Sequence, residues 1–160
     1  MSNILAIDTT LGGCSVAHSD GAVRVIDERN QQTSQLAAMT QAVLEGKEYD
    51  SLDAYAVTIG PGSFTGVRIG LAFIRGLALA VAKPIHAINT LELLAYQAIE
   101  AGADGEIVSA INAYRGQLYI QRFAAEDGLP ASLGNATAIE LADIPTGNLT
   151  LAGDAQEFFP

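Results

Sequence analysis

Three side chains near the amino terminus have the chemistry to hold a phosphate and its metal ion. Asp8, Thr9 and Thr10 follow a run of branched apolar residues that predicts a buried strand. A carboxylate beside two hydroxyls offers oxygen ligands of the kind that Mg²⁺ takes. The structural alternative is a turn in which nearby backbone N–H groups satisfy Asp8. We favour this alternative, because the sequence after residue 125 offers no second phosphate-binding turn.

The second candidate for phosphate binding is the glycine-rich segment GPGSFTG at residues 60–66. It joins a predicted strand to a predicted helix, a position where many proteins bind an anion. It lacks the lysine and the spacing of a P-loop, however. The alternative is geometric: Ser63 or Thr65 caps the helix, while Gly66 and Gly70, one turn apart, let another backbone approach closely. We favour the geometric interpretation.

Residues that could carry catalysis are otherwise scarce. His18 and His86 are far apart and form no H-x-x-x-H or H-E-x-x-H pair, which argues against a metal site. The single cysteine, Cys14, has no basic neighbour in sequence to activate its thiolate. We therefore predict no catalytic residue, no metal and no cofactor, and leave open a weakly held nucleotide at a junction between subunits.

Composition narrows the class of protein further. Hydrophobic residues make up 49% of the 160 residues, which predicts a folded globule. The 18 acidic residues outnumber the 8 basic ones, so the chain is not expected to bind nucleic acid by itself. The start of the chain does not resemble a signal peptide, and the longest apolar run, residues 67–82, is interrupted by Arg68 and Arg75. These features predict a soluble, cytoplasmic protein without a membrane segment.

The order of predicted elements indicates how these residues are positioned. Three strands, a helix over residues 35–46 with Thr33 or Ser34 as its cap, a strand, a long helix from Ser63 and a further strand predict an α/β fold with a mixed sheet. A third helix, capped by Thr90, and a late hairpin around residues 115–116 follow. We expect an amino-terminal lobe over residues 1–103 and a partial second lobe over residues 104–160.

The long helix from Ser63 is apolar or small on two opposite sides, which a surface helix of a monomer should not be. One side is then expected to pack on the sheet and the other on a second molecule. The alternative is a central helix buried within its own domain. The neighbouring helix is expected to lie beside it and to share this surface. The predicted partner-binding residues of the two helices are Leu36, Met39, Val43, Arg68, Leu71, Ala72, Arg75 and Leu79.

Five segments closely resemble the TsaB (YeaZ) family, which serves threonylcarbamoyladenosine modification of tRNA. They are LAIDTTLGGCSVA, TSQLAAMTQAVL, GPGSFTGVRIGLAFIRGLALA, TLELLA and INAYRGQLYIQRF, and together they cover most of residues 3–123. The resemblance implies an actin-like ATPase fold of the ribonuclease H-like type. Thr33 stands where the family usually has histidine. The sequence stops at Pro160 where the family continues, so we expect either an abbreviated second lobe or a sequence that is part of a longer chain.

The same resemblance implies a non-catalytic subunit. Its expected partners are the catalytic paralogue TsaD and the ATPase TsaE. The two apolar sides of the long helix predict a homodimer in isolation, and the net charge of −10 predicts contact with tRNA only through the complex. Two other classes remain open: an actin-like nucleotide-binding or phosphotransfer domain, and a glycoprotease-like hydrolase. The missing second phosphate turn counts against the former, and the missing metal ligands count against the latter.

Overall fold

The computed structural model contains two compact units, Met1–Ile88 and Asn89–Pro160, each built around its own five-stranded sheet. It describes residues 2–28, 32–114, 116–147 and 149–159. The third helix belongs to the second unit, whereas residues 89–103 were expected in the first lobe.

The first unit contains a mixed sheet with two helices between its strands. Its strands are β1 (Ile4–Asp8), β2 (Cys14–His18), β3 (Val23–Ile26), β4 (Ala54–Thr58) and β5 (Ile85–Ile88), and they lie in the order β3-β2-β1-β4-β5. The first three are antiparallel neighbours, and β4 and β5 run parallel to β1 and to each other. Helix α1 (Gln32–Leu44) precedes β4, and helix α2 (Phe64–Val81) connects β4 to β5. This order of elements confirms the predicted mixed sheet.

The core of the first unit lies between one face of this sheet and the two helices. Alternate residues of β1 and β2 point into it, as the period of a strand requires. Helix α1 contributes Leu36, Met39 and Val43, which are 1%, 6% and 0% exposed. The assignment of these three side chains to a partner surface is therefore wrong. Their helical spacing places them on the side of α1 that faces the sheet of the same unit. This apolar stripe is therefore buried in the core and is not exposed to a partner.

Helix starts were predicted less well than helix positions. Helix α1 begins at Gln32, so Thr33 and Ser34 lie inside its first turn and do not cap it. Helix α3 (Thr90–Glu100) is capped by Asn89, whose Oδ1 accepts hydrogen bonds from Leu91 N and Glu92 N at 2.8 and 3.4 Å. Thr90 was expected in that role, but an asparagine one residue earlier supplies a good acceptor and starts the helix there.

The second unit packs α3 against a separate sheet. Its strands are β6 (Glu106–Tyr114), β7 (Gln117–Glu126), β8 (Leu129–Ser132), β9 (Thr137–Glu140) and β10 (Thr150–Ala152). Strands β6 and β7 form the predicted antiparallel hairpin, although Arg115 at its tip lies outside the described residues. Strand β10 pairs parallel with β6, and both β8 and β9 pair with β7.

Candidate partner-binding surface

The turn after β1 is held together by hydrogen bonds from within its own unit. Asp8 Oδ1 accepts from Thr10 N at 2.8 Å, from Thr10 Oγ1 at 2.7 Å and from Thr58 Oγ1 at 2.6 Å. Thr9 and Thr10 are 0% and 1% exposed. These contacts give the turn a structural role, and one oxygen of the Asp8 carboxylate is already satisfied without any ligand.

The glycine-rich segment packs directly on this turn. Thr9 Oγ1 donates to the Gly66 carbonyl oxygen at 2.7 Å, and Ser63 N donates to the Thr10 carbonyl oxygen at 2.8 Å. A β-carbon at Gly66 would lie 1.9 Å from the Thr9 carbonyl oxygen, and one at Gly70 would lie 2.4 Å from Thr9 Oγ1. Gly66 therefore allows the close backbone approach that the geometric interpretation predicts, whereas Gly70 makes room for the Thr9 side chain.

The start of α2 also agrees with that interpretation. Ser63 is its N-cap and accepts a hydrogen bond from Gly66 N at 3.2 Å through its hydroxyl oxygen. The Ser63 and Gly66 N–H groups are thus engaged within the chain. A cleft of about 150 Å³ lies beside Asp8, Cys14 and Asp27. It is smaller than the roughly 300–1,000 Å³ of ordinary small-molecule sites.

One side of α2 is buried and the other is exposed. The buried side consists of Gly66, Gly70, Ile74 and Ala78, spaced four residues apart. The exposed side carries residues spaced by four, four, three and four positions, which we call the outer stripe: Phe64, Arg68, Ala72, Arg75 and Leu79. Phe64 and Leu79, at its two ends, are 76% and 85% exposed. Two large apolar side chains this exposed on one helix make the outer stripe a candidate surface for a partner.

The outer stripe contains four of the five α2 residues predicted to bind a partner. The fifth, Leu71, is partly buried and packs against the core of the first unit. Phe64 was not among the predicted residues. Its spacing of four residues from Arg68 was the signal that would have revealed it.

The charge on the outer stripe is purely positive. The Arg68 guanidinium lies 5.1 Å from the centre of the Phe64 ring, a cation–π distance. Within the described ranges, neither Arg68 nor Arg75 has an ion pair. The sequence has no acidic residue between Asp53 and Glu92. Neither α2 nor its flanking segments can therefore neutralise these two arginines.

Helix α2 is also unusually apolar as a whole. Across the described part of the chain it is the one helix long and apolar enough to cross a membrane by length and composition, with a mean hydropathy of 1.6. A single such helix is weak evidence, because core helices of soluble proteins have the same character. Here the buried side of α2 packs on β4 of its own sheet.

Comparison with known proteins gives consistent relationships. The family model of TsaD, tRNA N6-adenosine threonylcarbamoyltransferase, matches residues 21–138. The tRNA threonylcarbamoyladenosine biosynthesis protein TsaB of Escherichia coli K12 is 36% identical over 129 residues, which is 78% of this chain and 56% of that protein. TsaB of Haemophilus influenzae is 34% identical over 128 residues, 77% of this chain and 54% of that protein. The chain thus spans just over half the length of these curated relatives.

Solved structures agree with these sequence relatives. YeaZ from Pseudomonas aeruginosa superposes with a TM-score of 0.81 at 30% identity, covering 91% of this chain and 70% of that one. A second structure, described as a protein with similarity to peptidase YEAZ from the same organism, gives a TM-score of 0.87 at 26% identity over 94% and 75% of the two chains. These matches confirm the predicted actin-like ATPase-type fold. The chain belongs to the TsaB (YeaZ) family.

Proposed function

We propose that this chain is a non-catalytic scaffold and activator subunit in threonylcarbamoyladenosine modification of tRNA. In this proposal it docks on the catalytic paralogue TsaD in the cytoplasm and assembles with the ATPase TsaE. One observation carries the proposal: the outer stripe of α2 exposes Phe64 and Leu79 in a chain that resembles TsaB over three-quarters of its length.

The energetics of the outer stripe favour docking. Burial of one large apolar side chain contributes roughly 1.5–3 kcal/mol, and the free chain forgoes most of this at both ends of the stripe. Anchors of this kind dominate binding energy when they enter desolvated pockets. The small side chain of Ala72, between the two anchors, lets a partner surface approach the helix closely.

Docking explains activation without a catalytic residue in this chain. If the outer stripe binds the active conformation of TsaD better than the inactive one, binding raises the active population. A preference of about 3 kcal/mol changes that equilibrium by roughly a hundredfold. The sequence supplies neither a paired-histidine metal motif nor a P-loop, so the chemistry is assigned to the partner.

The test compares the same substitution at two exposed leucines. Leu79 is 85% exposed on the outer stripe, and Leu129 is 60% exposed on β8. We expect Leu79→Glu to abolish co-elution with TsaD on a sizing column and to abolish activation of tRNA modification, because it places an unpaired charge in the interface. Leu129→Glu should retain both properties. Normal TsaD binding by a folded Leu79→Glu chain would show that the surface is misassigned.

The phosphotransfer and hydrolase alternatives are tested on the pure chain. We expect neither ATP hydrolysis nor protein cleavage above the rate of a buffer control. Robust ATP turnover that disappears in Asp8→Ala would replace the scaffold proposal with an active nucleotide site at the β1 turn.

A further inference from the structure

We propose that Arg68 and Arg75 make the outer stripe selective for a partner surface that carries two carboxylates. The same arginines disfavour pairing of two copies of this chain through α2. The two arginines are seven residues apart on one helix, so the matching carboxylates lie about 10 Å apart. This inference rests on the proposed function, since it names the chemistry of the surface that docks there.

The first argument is charge complementarity. In the described part of the chain Arg75 has no ion pair, and Arg68 is placed over an aromatic ring rather than beside a carboxylate. An arginine that enters an interface needs acceptors, and a carboxylate matches its planar fork with two parallel hydrogen bonds. A partner with apolar groups alone would bury two unpaired charges, which is costly. The outer stripe therefore calls for acidic groups opposite its centre and apolar pockets opposite its ends.

The second argument comes from the spacing of the outer stripe. If two copies pair antiparallel about a twofold axis near Ala72, Phe64 of one copy lies opposite Leu79 of the other. The same arrangement places Arg68 opposite Arg75, and it does so twice. A parallel pair places Arg68 opposite Arg68. The apolar ends thus favour self-association, while the positive centre opposes it, because like charges across an interface are repulsive.

A single charge reversal is expected to have opposite effects on the homodimer and on the complex with TsaD. In an antiparallel self-pair, Arg68→Glu creates two complementary contacts with Arg75, so we expect the homodimer dissociation constant to fall about tenfold or more. The complex with TsaD should weaken by a similar factor, because the carboxylate opposite position 68 now meets another carboxylate. Arg68→Gln should lie between wild type and Arg68→Glu in both measurements.

The double variant and a matched control complete the series. Arg68→Glu with Arg75→Glu restores like-charge repulsion in the self-pair, so its homodimer should be weak again while TsaD binding weakens further. Arg24→Glu changes the net charge by the same amount as Arg68→Glu, but Arg24 lies on β3 and away from α2. It should leave both dissociation constants within about twofold of wild type. Sedimentation equilibrium measures the homodimer, and titration calorimetry measures the complex with TsaD.

Ionic strength provides a second readout. Salt screens exposed charges, with a Debye length of about 10 Å at 0.1 M. Raising salt should weaken the complex of the wild-type chain with TsaD and tighten the wild-type homodimer. For Arg68→Glu the homodimer should instead weaken with salt.

The outcomes distinguish this inference from the proposed function. If Leu79→Glu abolishes TsaD binding while Arg68→Glu leaves it unchanged, the surface stands and the selectivity by carboxylates is wrong. If Arg68→Glu weakens the homodimer rather than tightening it, the antiparallel self-pair and its repulsive centre are wrong. If neither Leu79→Glu nor Arg68→Glu affects TsaD binding, the proposed function itself fails.

Discussion

Gly66 decides how closely α2 can approach the turn after β1. A β-carbon there would lie 1.9 Å from the Thr9 carbonyl oxygen, which is backbone and cannot rotate away. We expect Gly66→Ala to lower the free energy of unfolding by about 1–3 kcal/mol, because the helix must shift to make room. Urea unfolding followed by circular dichroism measures the change.

Gly76 on the same helix is the control for this prediction. A β-carbon at Gly76 meets no heavy atom within 4 Å. Gly76→Ala should be neutral or should stabilise the chain by up to about 1 kcal/mol, since alanine favours the helix. Equal effects at positions 66 and 76 would contradict the close packing of α2 on the β1 turn.

Asp20 makes stability depend on pH. Lys47 Nζ lies 2.8 Å from its Oδ2, and Ala22 N and His18 Nδ1 lie 3.0 and 2.9 Å from its Oδ1. These contacts, the Lys47 hydrogen bond foremost, lower the pKa of the Asp20 carboxyl well below its usual range. A lowered folded-state pKa contributes stability above the unfolded value of about 3.9, and that stability is lost as pH falls toward the folded value.

We therefore expect Asp20→Asn to unfold at lower urea than wild type at pH 7. The difference between the two urea midpoints should shrink as pH falls below about 4, where the unfolded wild-type carboxyl becomes protonated. In a Lys47→Met background the effect of Asp20→Asn should be smaller, because the largest cause of the shift is gone. A difference that stays constant from pH 7 to pH 3 would contradict this linkage.

At the residue scale, the sequence predicted which residues pack closely or are buried better than it predicted the groups that they contact. The close approach at Gly66 and Gly70 followed from small residues one turn apart. The groups that approach are the Thr9 carbonyl at Gly66 and the Thr9 hydroxyl at Gly70. Their identity depends on the pairing of β1 with β4, and no local pattern encodes that pairing. Leu36, Met39 and Val43 were misassigned for a related reason. An apolar stripe shows that a side of a helix is buried, but it does not show against what.

Helix α2 has one side packed on its own core and one exposed side that we propose binds a partner. Leu71 and Leu79 report on these two sides. Leu71 is partly buried and packs against the core of the first unit, whereas Leu79 is 85% exposed. We expect Leu71→Glu to lower the free energy of unfolding by about 1–3 kcal/mol, because it brings a charge toward apolar neighbours. Leu79→Glu should change the free energy of unfolding by no more than about 0.5 kcal/mol.

Thermal unfolding of the two variants, compared at the same protein concentration, checks this prediction. A variant that includes Leu71→Glu would confuse lost binding with lost folding, so the partner-binding test uses Leu79→Glu alone. Similar destabilisation by both substitutions would mean that Leu79 is already buried in the absence of TsaD, for example in a homodimer.

Elements with strong patterns were predicted accurately, and elements with weak ones were not. Strands β1, β2 and β4 alternate or run apolar over five residues, and α2 follows a clear cap. After Asp127 the chain forms the short strands β8 and β9, which pair with β7, and β10, which pairs with β6. The sequence of these segments has little periodicity, so pairing with neighbouring strands determines whether they form strands.

At the scale of the whole molecule, charge is distributed unequally along the chain. Residues 89–160 contain ten of the eighteen acidic residues and two of the eight basic ones. Residues 1–88 contain the other eight acidic and six basic residues, with Arg68, Arg75 and Lys83 in a stretch free of carboxylates. A polyanion such as tRNA is repelled by the second unit. Three of the six basic residues of the first unit lie on or just after the helix that we propose binds the partner.

This distribution predicts weak and salt-sensitive binding of tRNA by the isolated chain. At most about three phosphates can be neutralised by Arg68, Arg75 and Lys83, so the slope of log affinity against log salt should not exceed about 3 in magnitude. Fluorescence anisotropy with labelled tRNA at 50 and 150 mM salt measures that slope, and we expect no detectable binding at the higher concentration. Because TsaD covers the same arginines in the proposed complex, any tRNA held by the complex must be held mainly by the other subunits. Tight binding by the isolated chain at physiological salt, with a steeper slope, would require a basic surface that this sequence does not supply, and it would move the contact with tRNA onto this subunit.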